Sequence, residues 1–238
     1  MQKLVLLYPG GERAARRNGL SEDEHSDPQR GVFGSPQIPV NQKSNGKSRP
    51  ALFSHPLLLF ARNFFRSPAM LGSVVPSSPF LVKTLLSQVE WERARVLVEY
   101  GPGVGTFTRE ILKRMRPDAT LVAIELNPAF VSFLRREIQD PRLRVVSGSA
   151  AGVRAMLEEM ECASADYIIS GIPYSTMPES ARREILRESR QVLSPEGAFL
   201  VYQFTGTVLP CLQSSFRSVR QDFELLNILP ARIFCCSP

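Results

Sequence analysis

The stretch Glu99-Tyr100-Gly101-Pro102-Gly103-Val104-Gly105-Thr106 decides the fold of this chain. It overlaps the end of Val96–Glu99, an apolar run typical of a buried strand, and it precedes Phe107–Met115, whose apolar residues recur at helical spacing. Three glycines at alternate positions between a strand and a helix let the backbone turn sharply and approach a ligand closely. The stretch therefore predicts the first strand–loop–helix unit of a nucleotide-binding domain, and a tight turn without a ligand is the alternative.

The glycine loop differs from a dinucleotide-binding fingerprint in two ways. That fingerprint reads G-x-G-x-x-G, with a pyrophosphate at the helix N-terminus, whereas here the third glycine comes one position early. Glu99 stands directly before the loop, where its carboxylate would repel a pyrophosphate but would suit the ammonium group of a methionine moiety. We therefore expect S-adenosylmethionine rather than NAD. The expected contacts in the loop are Glu99, Tyr100, Gly101, Pro102, Gly103, Gly105 and Thr106.

The second predicted strand supplies another expected contact. It ends with Glu125, about 20 residues after Gly105, where an acid usually holds the ribose hydroxyls of a nucleotide. Asn127-Pro128 then closes the strand and opens a helix. A surface acid without a ligand is the alternative for Glu125.

Strand and helix patterns alternate from residue 95 onward. The predicted buried strands are Val96–Glu99, Leu121–Leu126, Leu143–Val146, Tyr167–Ser170 and Phe199–Phe204. The predicted helices are Phe107–Met115, Ala129–Ile138, Gly152–Met160 and Glu179–Leu193. The final pair, Phe223–Leu229 and Arg232–Cys236, indicates an antiparallel hairpin. The predicted fold class is α/β, a Rossmann-like doubly wound sheet of seven strands, mostly parallel with a C-terminal antiparallel hairpin.

Two segments precede the predicted domain at 91–238. Residues 1–50 are rich in Gly, Pro, Ser, Asn, Gln and charge, which predicts a disordered basic tail. Residues 51–90 carry an amphipathic helix at 56–66 and a further helical stretch at Phe80–Gln88. A basic, aromatic helix such as 56–66 either lies in a lipid interface or packs on the domain, and its own residues fit both interpretations.

Composition excludes some classes and favours an anionic partner. The 238-residue chain has no apolar run long enough to span a bilayer and no recognisable signal peptide, so we expect a cytoplasmic protein. Its four cysteines lack CxxC spacing and only two histidines could join them, so no metal site is expected. No acidic residue lies between Asp27 and Glu90, and the net charge is +6. This bias favours a membrane surface or a nucleic acid.

The acid–glycine loop, the acid ending the second strand and the turn after the third strand together resemble class I S-adenosylmethionine-dependent methyltransferases, from about Phe64 to the C-terminus. The resemblance implies that the loop binds the methionine end, Glu125 the ribose, and the turn Ser147-Gly148-Ser149-Ala150 the adenine. Ser149 stands where many relatives carry Asp, and its hydroxyl can still hydrogen-bond the adenine amino group. The further cofactor contacts expected are Leu126, Gly148, Ser149, Ala150 and Ser170.

The segment Ser170-Gly171-Ile172-Pro173-Tyr174 follows the fourth predicted strand, so we expect it beside the methyl donor. It is similar to the Asn-Leu-Pro-Tyr motif of ribosomal RNA adenine N6-dimethyltransferases. In those enzymes the Asn accepts a hydrogen bond from the exocyclic amine and the aromatic ring stacks on the flipped base. Gly171 occupies the Asn position here, so that side-chain acceptor is missing.

Bacterial phospholipid N-methyltransferases, which convert phosphatidylethanolamine towards phosphatidylcholine, resemble the chain more closely. The similar stretches are 66–78, 170–173 and Tyr202-Gln203-Phe204. The resemblance implies docking on anionic lipid, and it gives the helix at 56–66 that role because basic residues near such a surface contribute about 1 kcal/mol each. We therefore predict a peripheral membrane enzyme whose substrate is a phospholipid headgroup.

Methyl transfer is an in-line displacement in which a neutral amine attacks the sulfonium methyl group. We expect the backbone carbonyls of Gly171, Ile172 and Pro173 and the hydroxyl of Tyr174 to orient that amine, and the sequence identifies no general base. For Tyr174 a packing role is the alternative. Two other functions stay open: a methyltransferase for RNA, a small amine or a quinone, and a non-catalytic S-adenosylmethionine-binding protein.

Overall fold

The computed structural model describes residues 77–227 and 229–238. The tail predicted at 1–50, the amphipathic helix predicted at 56–66 and all but the last two residues of the motif at 66–78 lie outside the described residues. The predicted methyltransferase domain lies within them except for Ile228.

Seven strands form one sheet in the order β3-β2-β1-β4-β5-β7-β6. Strands β1 to β5 pair in parallel, whereas β7 pairs antiparallel with both β5 and β6. This arrangement confirms the predicted fold class. The strands are β1 (Val96–Tyr100), β2 (Thr120–Glu125), β3 (Leu143–Ser147), β4 (Ala165–Ser170), β5 (Leu193–Gln203), β6 (Ser218–Glu224) and β7 (Ala231–Ser237).

Helices cover both faces of the sheet within the described part of the chain. The helices are α1 (Pro79–Leu86), α2 (Thr106–Arg114), α3 (Pro128–Glu137), α4 (Val153–Glu159), α5 (Glu179–Val192) and α6 (Leu209–Ser215). Helices α1 and α2 pack on what we call the first face, and α4, α5 and α6 pack on the second. Helix α3 lies beside the glycine loop, where Phe130 and Phe133 pack on Val104.

Local sequence explains where the helices near the site begin. Ser78 caps α1 by accepting a hydrogen bond from the Leu81 amide, and Asn127 caps α3 by accepting one from the Ala129 amide at 2.9 Å. A proline follows each cap at the first helical position, where its missing N–H costs nothing. These caps fix the direction in which each helix leaves the sheet edge.

Alternation along β1 assigns its side chains to opposite faces. Leu97 packs in the core of the first face, whereas Val98 and Tyr100 pack in that of the second. Glu99 follows the parity of Leu97 and therefore lies on the first face, with its carboxylate bonded to Thr108 of α2. This parity decides which side chains of the glycine-loop region can reach the cofactor site.

The C-terminal region differs from the prediction. The first strand of the hairpin is Ser218–Glu224 rather than Phe223–Leu229, because β6 is an edge strand with mostly polar, exposed residues while three of the leucines after it are exposed in a loop. Helix α6 was not predicted, since it is short and begins with Leu209-Pro210. Within residues 77–227 and 229–238, no helix has both the length and the apolar content needed to cross a bilayer.

Candidate functional site

The carboxyl ends of the parallel strands meet at one edge of the sheet, and the loops that leave them are joined by backbone hydrogen bonds. The Gly148 amide donates to the Glu125 carbonyl, the Gly101 amide to the Ile124 carbonyl, and the Gly171 amide to the Tyr100 carbonyl, all at 3.0 Å. The loops after β3, β1 and β4 therefore continue the sheet pairing beyond the strands. This row of loops is the candidate site.

The three glycines of the first loop adopt positive φ angles of +69°, +55° and +79°. Such angles are rare for residues with a Cβ, which explains why glycine is needed here. A Cβ at Gly101 would lie 2.8 Å from the Ile172 side chain, and one at Gly105 would meet the Leu134 and Ile138 side chains. A Cβ at Gly103 would meet nothing within 4 Å. Gly103 therefore borders open space that a cofactor can occupy.

Glu99 is a buried carboxyl on the first face, where only 3% of its surface is exposed. Burial raises its pKa to about 7, and the nearby Glu125 carboxyl adds to the rise. The Thr108 hydroxyl opposes it by donating a 2.6 Å hydrogen bond to the carboxylate. A buried carboxyl that is only half ionised near neutral pH is well suited to accept an ammonium group, since a cationic partner would favour its charged form.

Glu125 ends β2 and is fixed by backbone amides. The Gly103 amide donates to one carboxylate oxygen at 3.1 Å and the Asn127 amide to the other at 2.8 Å. Burial nevertheless raises the pKa of Glu125, with these hydrogen bonds opposing the rise. Leu126 follows it with 70% of its surface exposed. A fixed acid beside an exposed apolar side chain can hold a ribose next to a flat heterocycle.

The turn after β3 places Ser149 at the surface beside this acid. Its hydroxyl accepts a hydrogen bond from the Ala151 amide at 3.3 Å and caps a short 3-10 turn at Ala150–Gly152. The Ser149 hydroxyl keeps its own proton to donate outward, whereas Ala150 packs into the core of the second face. A Cβ at Gly148 would lie 2.7 Å from the terminal methyl group of Met156, which would have to shift.

Three predicted site residues turn their side chains away from the site. Tyr100, Ser170 and Tyr174 are fully buried on the second face, and the hydroxyls of Ser170 and Tyr174 hydrogen-bond each other at 3.0 Å. The Tyr100 hydroxyl pairs with Ser189 of α5. The expectation that the Tyr174 hydroxyl orients an amine is therefore wrong in this conformation, because β4 continues into a turn that points the ring into the core.

Some of the backbone carbonyls after β4 already accept a hydrogen bond within the protein. The Ile172 carbonyl accepts from the Gln203 side chain at 2.9 Å and from the Tyr174 amide, and the Pro173 carbonyl accepts from Thr176. Within residues 77–227 and 229–238, the Gly171 carbonyl accepts no hydrogen bond. Of the three carbonyls predicted to orient an amine, that of Gly171 is the one left with this capacity.

Tyr202 of β5 lies against Gly171 and was missed as a site residue. A Cβ at position 171 would lie 2.5 Å from the Tyr202 hydroxyl oxygen, so a side chain there and the tyrosine exclude each other. The Tyr202 ring stacks on Phe107 at 5.2 Å between centroids, and its hydroxyl accepts a hydrogen bond from Ser77 at 3.2 Å. Burial and the nearby Glu99 carboxyl both raise the pKa of Tyr202, so its hydroxyl stays neutral.

These residues form two adjoining parts of one site. Glu99, Gly103, Glu125 and Leu126 border the space expected for the cofactor, while Gly171 and Tyr202 border the space expected for an acceptor. Pro102 and Thr106 lie at the same loop, with the Pro102 carbonyl accepting from the Gly105 amide at 2.8 Å. Among the described residues, no group of three or more His, Cys, Asp and Glu side chains could hold a metal ion.

Comparison with known proteins places this arrangement among methyl-transferring enzymes. A family model described as a methyltransferase domain matches residues 97–197. The chain is 32% identical over 180 residues to the ornithine lipid N-methyltransferase of Singulisphaera acidiphila, an alignment that covers 75% of this chain and 94% of that protein.

More distant similarities extend to other methyltransferases. The chain is 30% identical over 144 residues to a probable ribosomal RNA small subunit methyltransferase A of Pyrobaculum islandicum, covering 60% of this chain and 57% of that protein. Among solved structures, the glycopeptide N-methyltransferase MtfA complexed with S-adenosyl-L-homocysteine superimposes with a TM-score of 0.53 at 14% identity. That match covers 66% of this chain and 88% of the other, and it supports the fold.

Proposed function

The chain belongs to the class I S-adenosylmethionine-dependent methyltransferases, and from that premise we propose that it transfers methyl groups to the amine of a lipid headgroup. The chain is an enzyme with S-adenosylmethionine as cofactor, which sets aside the non-catalytic alternative. The relative that it matches over most of its length is named for N-methylation of ornithine lipid, and this name supports a lipid amine as acceptor.

The close approach of Gly171 and Tyr202 is the observation that carries the proposal. In the RNA adenine enzymes that the β4 motif resembles, an Asn at the position of Gly171 accepts from the target amine. Here the space for that side chain is filled by the Tyr202 hydroxyl, 2.5 Å from where a Cβ would stand. A neutral phenol and the Gly171 carbonyl can accept from a small aliphatic amine, without the wide slot that a flat base requires.

The cofactor is assigned to the first part of the site. We propose that Glu99 pairs with its ammonium group, Glu125 accepts from the ribose hydroxyls, and Leu126 and Ser149 border the adenine. The open space at Gly103 and the exposed Leu126 fit such an occupant. When bound, the cofactor supplies an electrophilic methyl group on a sulfonium centre, and the protein supplies alignment.

The acceptor amine must lose a proton before attack, since it is mostly protonated at neutral pH. The described residues include no histidine, and the pKa of Tyr202 is raised, so neither supplies a base of ordinary strength. We propose that the Gly171 carbonyl and the Tyr202 hydroxyl accept hydrogen bonds from the neutral amine and hold its lone pair toward the methyl group. The protonated amine loses its proton to water before the methyl group is transferred.

The headgroup and the membrane contact are finer parts of the proposal. Phosphatidylethanolamine, expected from the sequence, and an ornithine lipid both present a primary amine near an acyl chain. We propose that the enzyme acts at an anionic membrane surface, and the helix predicted at 56–66 stays a prediction for that contact.

The test is methyl transfer from radiolabelled S-adenosylmethionine to vesicles that contain one amine lipid each, followed by lipid extraction and chromatography. We expect label in mono-, di- or trimethylated phosphatidylethanolamine or ornithine lipid, and none with phosphatidylglycerol alone. Ribosomal RNA and a soluble quinone precursor are assayed in parallel. Label in RNA with none in lipid would contradict the proposal and favour the RNA enzymes.

A further inference from the structure

Exposed leucines cluster in the connection between β6 and β7. We call this connection the leucine loop and define it as residues 225–227 and 229–230. Leu225, Leu226 and Leu229 are 71%, 64% and 49% exposed, and Phe80 at the start of α1 is 53% exposed. Three of the loop's five defined residues are therefore large apolar side chains facing solvent, which is unusual for a surface without a partner.

The leucine loop is held in shape by its own polar contacts. The Asn227 side chain accepts from the Ser78 amide at 2.8 Å and donates to the Leu229 carbonyl at 2.9 Å. Glu224 accepts from the Leu226 amide at 2.8 Å and from the Thr84 hydroxyl of α1 at 2.7 Å. These four hydrogen bonds fix the conformation of the loop, and in this conformation the leucine side chains are exposed to solvent.

The leucine loop lies at the same edge of the sheet as the acceptor site. Because β7 runs antiparallel to β5, and β6 antiparallel to β7, the connection from β6 to β7 stands at the carboxyl ends of the parallel strands. Ser78 is bonded to Asn227, and its neighbour Ser77 is bonded to Tyr202. Two hydrogen bonds and one peptide unit thus connect the loop to the acceptor site.

We propose that the leucine loop and Phe80 insert into a lipid bilayer and place the acceptor site over the lipid headgroups. The proposal rests on the function proposed above, since a lipid amine must reach Gly171 and Tyr202 from the membrane. Charge supports lipid as the occupant at the level of the whole chain, which carries a net charge of +6. At the patch itself, Lys83 and Arg232, which lies over the Phe223 ring, are balanced by Asp222 and Glu224. Leucine supplies the apolar depth and the net charge attracts anionic lipid.

The direct test is binding of the full chain to vesicles of phosphatidylglycerol and phosphatidylcholine, which offer no primary amine and need no methyl transfer. We expect Leu225→Ser/Leu226→Ser to lower vesicle affinity at least tenfold. The matched control, Leu225→Met/Leu226→Met, keeps an apolar surface and should bind within about twofold of the parent protein. Both variants change exposed residues, so both should fold with unchanged cofactor affinity.

Insertion of the loop itself is read from fluorescence. Trp91 is the one tryptophan of the chain, so Leu226→Trp in a Trp91→Phe background reports on the loop alone. We expect a blue shift with vesicles and quenching by brominated acyl chains. Unchanged vesicle affinity of the serine variant, or no blue shift, would overturn the proposal. Serine variants that alter oligomeric state but not vesicle affinity would instead mark the loop as a protein interface, which also overturns it.

The outcomes separate this inference from the proposed function. If no lipid is methylated but the serine variant still loses vesicle binding, only the proposed function fails. If detergent-dispersed amine lipid is methylated equally by the parent protein and the serine variant, and both bind vesicles alike, only the docking surface fails.

Discussion

The two halves of the site edge are built by different kinds of contact. On the side of β1, β2 and β3, the cofactor space is defined by positive-φ glycines and by the Glu125 carboxylate, which is bonded to backbone amides two and twenty-two residues away. On the side of β4, β5 and β7, the acceptor space is defined by side chains from distant segments, such as Tyr202 with Ser77 and Asn227 with Ser78. The first half is local in sequence and the second is not.

This difference has a functional meaning. Local backbone geometry suits a cofactor that a whole class of enzymes shares, since few changes in the loops preserve both the turn and the carboxylates. Long-range side-chain contacts suit an acceptor that differs between enzymes, because a change in one contact, such as that between Tyr202 and Gly171, changes which amine fits. We therefore expect substitutions in the first half to affect cofactor binding and those in the second to affect acceptor turnover.

Removal of the Glu125 carboxylate should give the largest effect. Two charge-assisted hydrogen bonds to a ribose are worth roughly 3–6 kcal/mol together, so Glu125→Ala should weaken S-adenosylmethionine binding by about 100-fold or more. Isothermal titration calorimetry measures this directly. Glu110→Ala, on the outer side of α2, is the control and should bind like the parent protein. A loss of less than threefold in Glu125→Ala would place the ribose elsewhere.

A pair of glycine substitutions separates cofactor space from packing. Gly103→Ala and Gly105→Ala share the strain of a positive φ, about 1–2 kcal/mol each. Only the second also meets neighbouring side chains, those of Ile138 and Leu134. We expect Gly103→Ala to lose tenfold or more in cofactor affinity with a modest loss of stability. Gly105→Ala should be the less stable of the two in thermal unfolding, and the reverse order would contradict the open space at Gly103.

In the first half, the strands and the identity of the cofactor could be predicted from the sequence because their signals are local. Buried apolar runs predicted β1 to β4 within two residues at each end, and the glycine loop with Glu99 and Glu125 indicated the cofactor. It could not assign Tyr100 and Tyr174 to the second face. The face of the sheet to which each of these side chains points depends on how the whole sheet is assembled. In the sequence alone, an aromatic residue that faces a ligand cannot be distinguished from one that packs in a core.

The side-chain contacts of the second half could not be predicted from the sequence. The stretch Tyr202-Gln203-Phe204 is recognisable as a motif, yet the contact of Tyr202 with Gly171 depends on the pairing of β4 with β5. The leucines after β6 have the sequence pattern of a buried strand, since an exposed apolar surface and a core strand have similar compositions. Burial depends on the whole fold and cannot be predicted from a short run of residues.

Tyr202→Phe should give an intermediate effect confined to turnover. The ring keeps its stacking on Phe107 while the hydroxyl beside Gly171 is lost. We expect kcat to fall about tenfold to a hundredfold, in line with the loss of one hydrogen bond to the reacting group, with cofactor affinity unchanged. Steady-state kinetics with calorimetry distinguish the two. Tyr167→Phe, whose hydroxyl accepts from the Glu90 amide, serves as the control.

The smallest effect is a pH dependence of cofactor binding. The pKa of Glu99 is about 7, so the carboxyl is increasingly protonated below that pH and must lose its proton to pair with an ammonium group. We expect cofactor affinity to fall as pH decreases from about 7 to about 6, by up to tenfold. Thr108→Val removes a hydrogen bond that lowers this pKa and should move the midpoint to higher pH, whereas Thr108→Ser should not.

The same shift affects the stability of the protein without cofactor. The folded state binds the Glu99 proton more tightly than the unfolded chain does, so this group's contribution to stability declines as pH rises from 4.5 to about 7. Glu99→Gln should remove that decline while weakening cofactor binding. Thermal unfolding of both proteins across this range checks the sign, and a decline that persists in Glu99→Gln would contradict it.

The most direct measurement offers lipid and RNA to the enzyme together. Vesicles with phosphatidylethanolamine, ornithine lipid and phosphatidylglycerol are mixed with ribosomal RNA and labelled S-adenosylmethionine, and label is counted in the organic and aqueous phases. We predict that the label enters the organic phase on methylated amine lipid and falls at least tenfold with Tyr202→Phe. Label confined to RNA, or lipid labelling that is unchanged in Tyr202→Phe, would contradict a lipid-amine site formed by Gly171 and Tyr202.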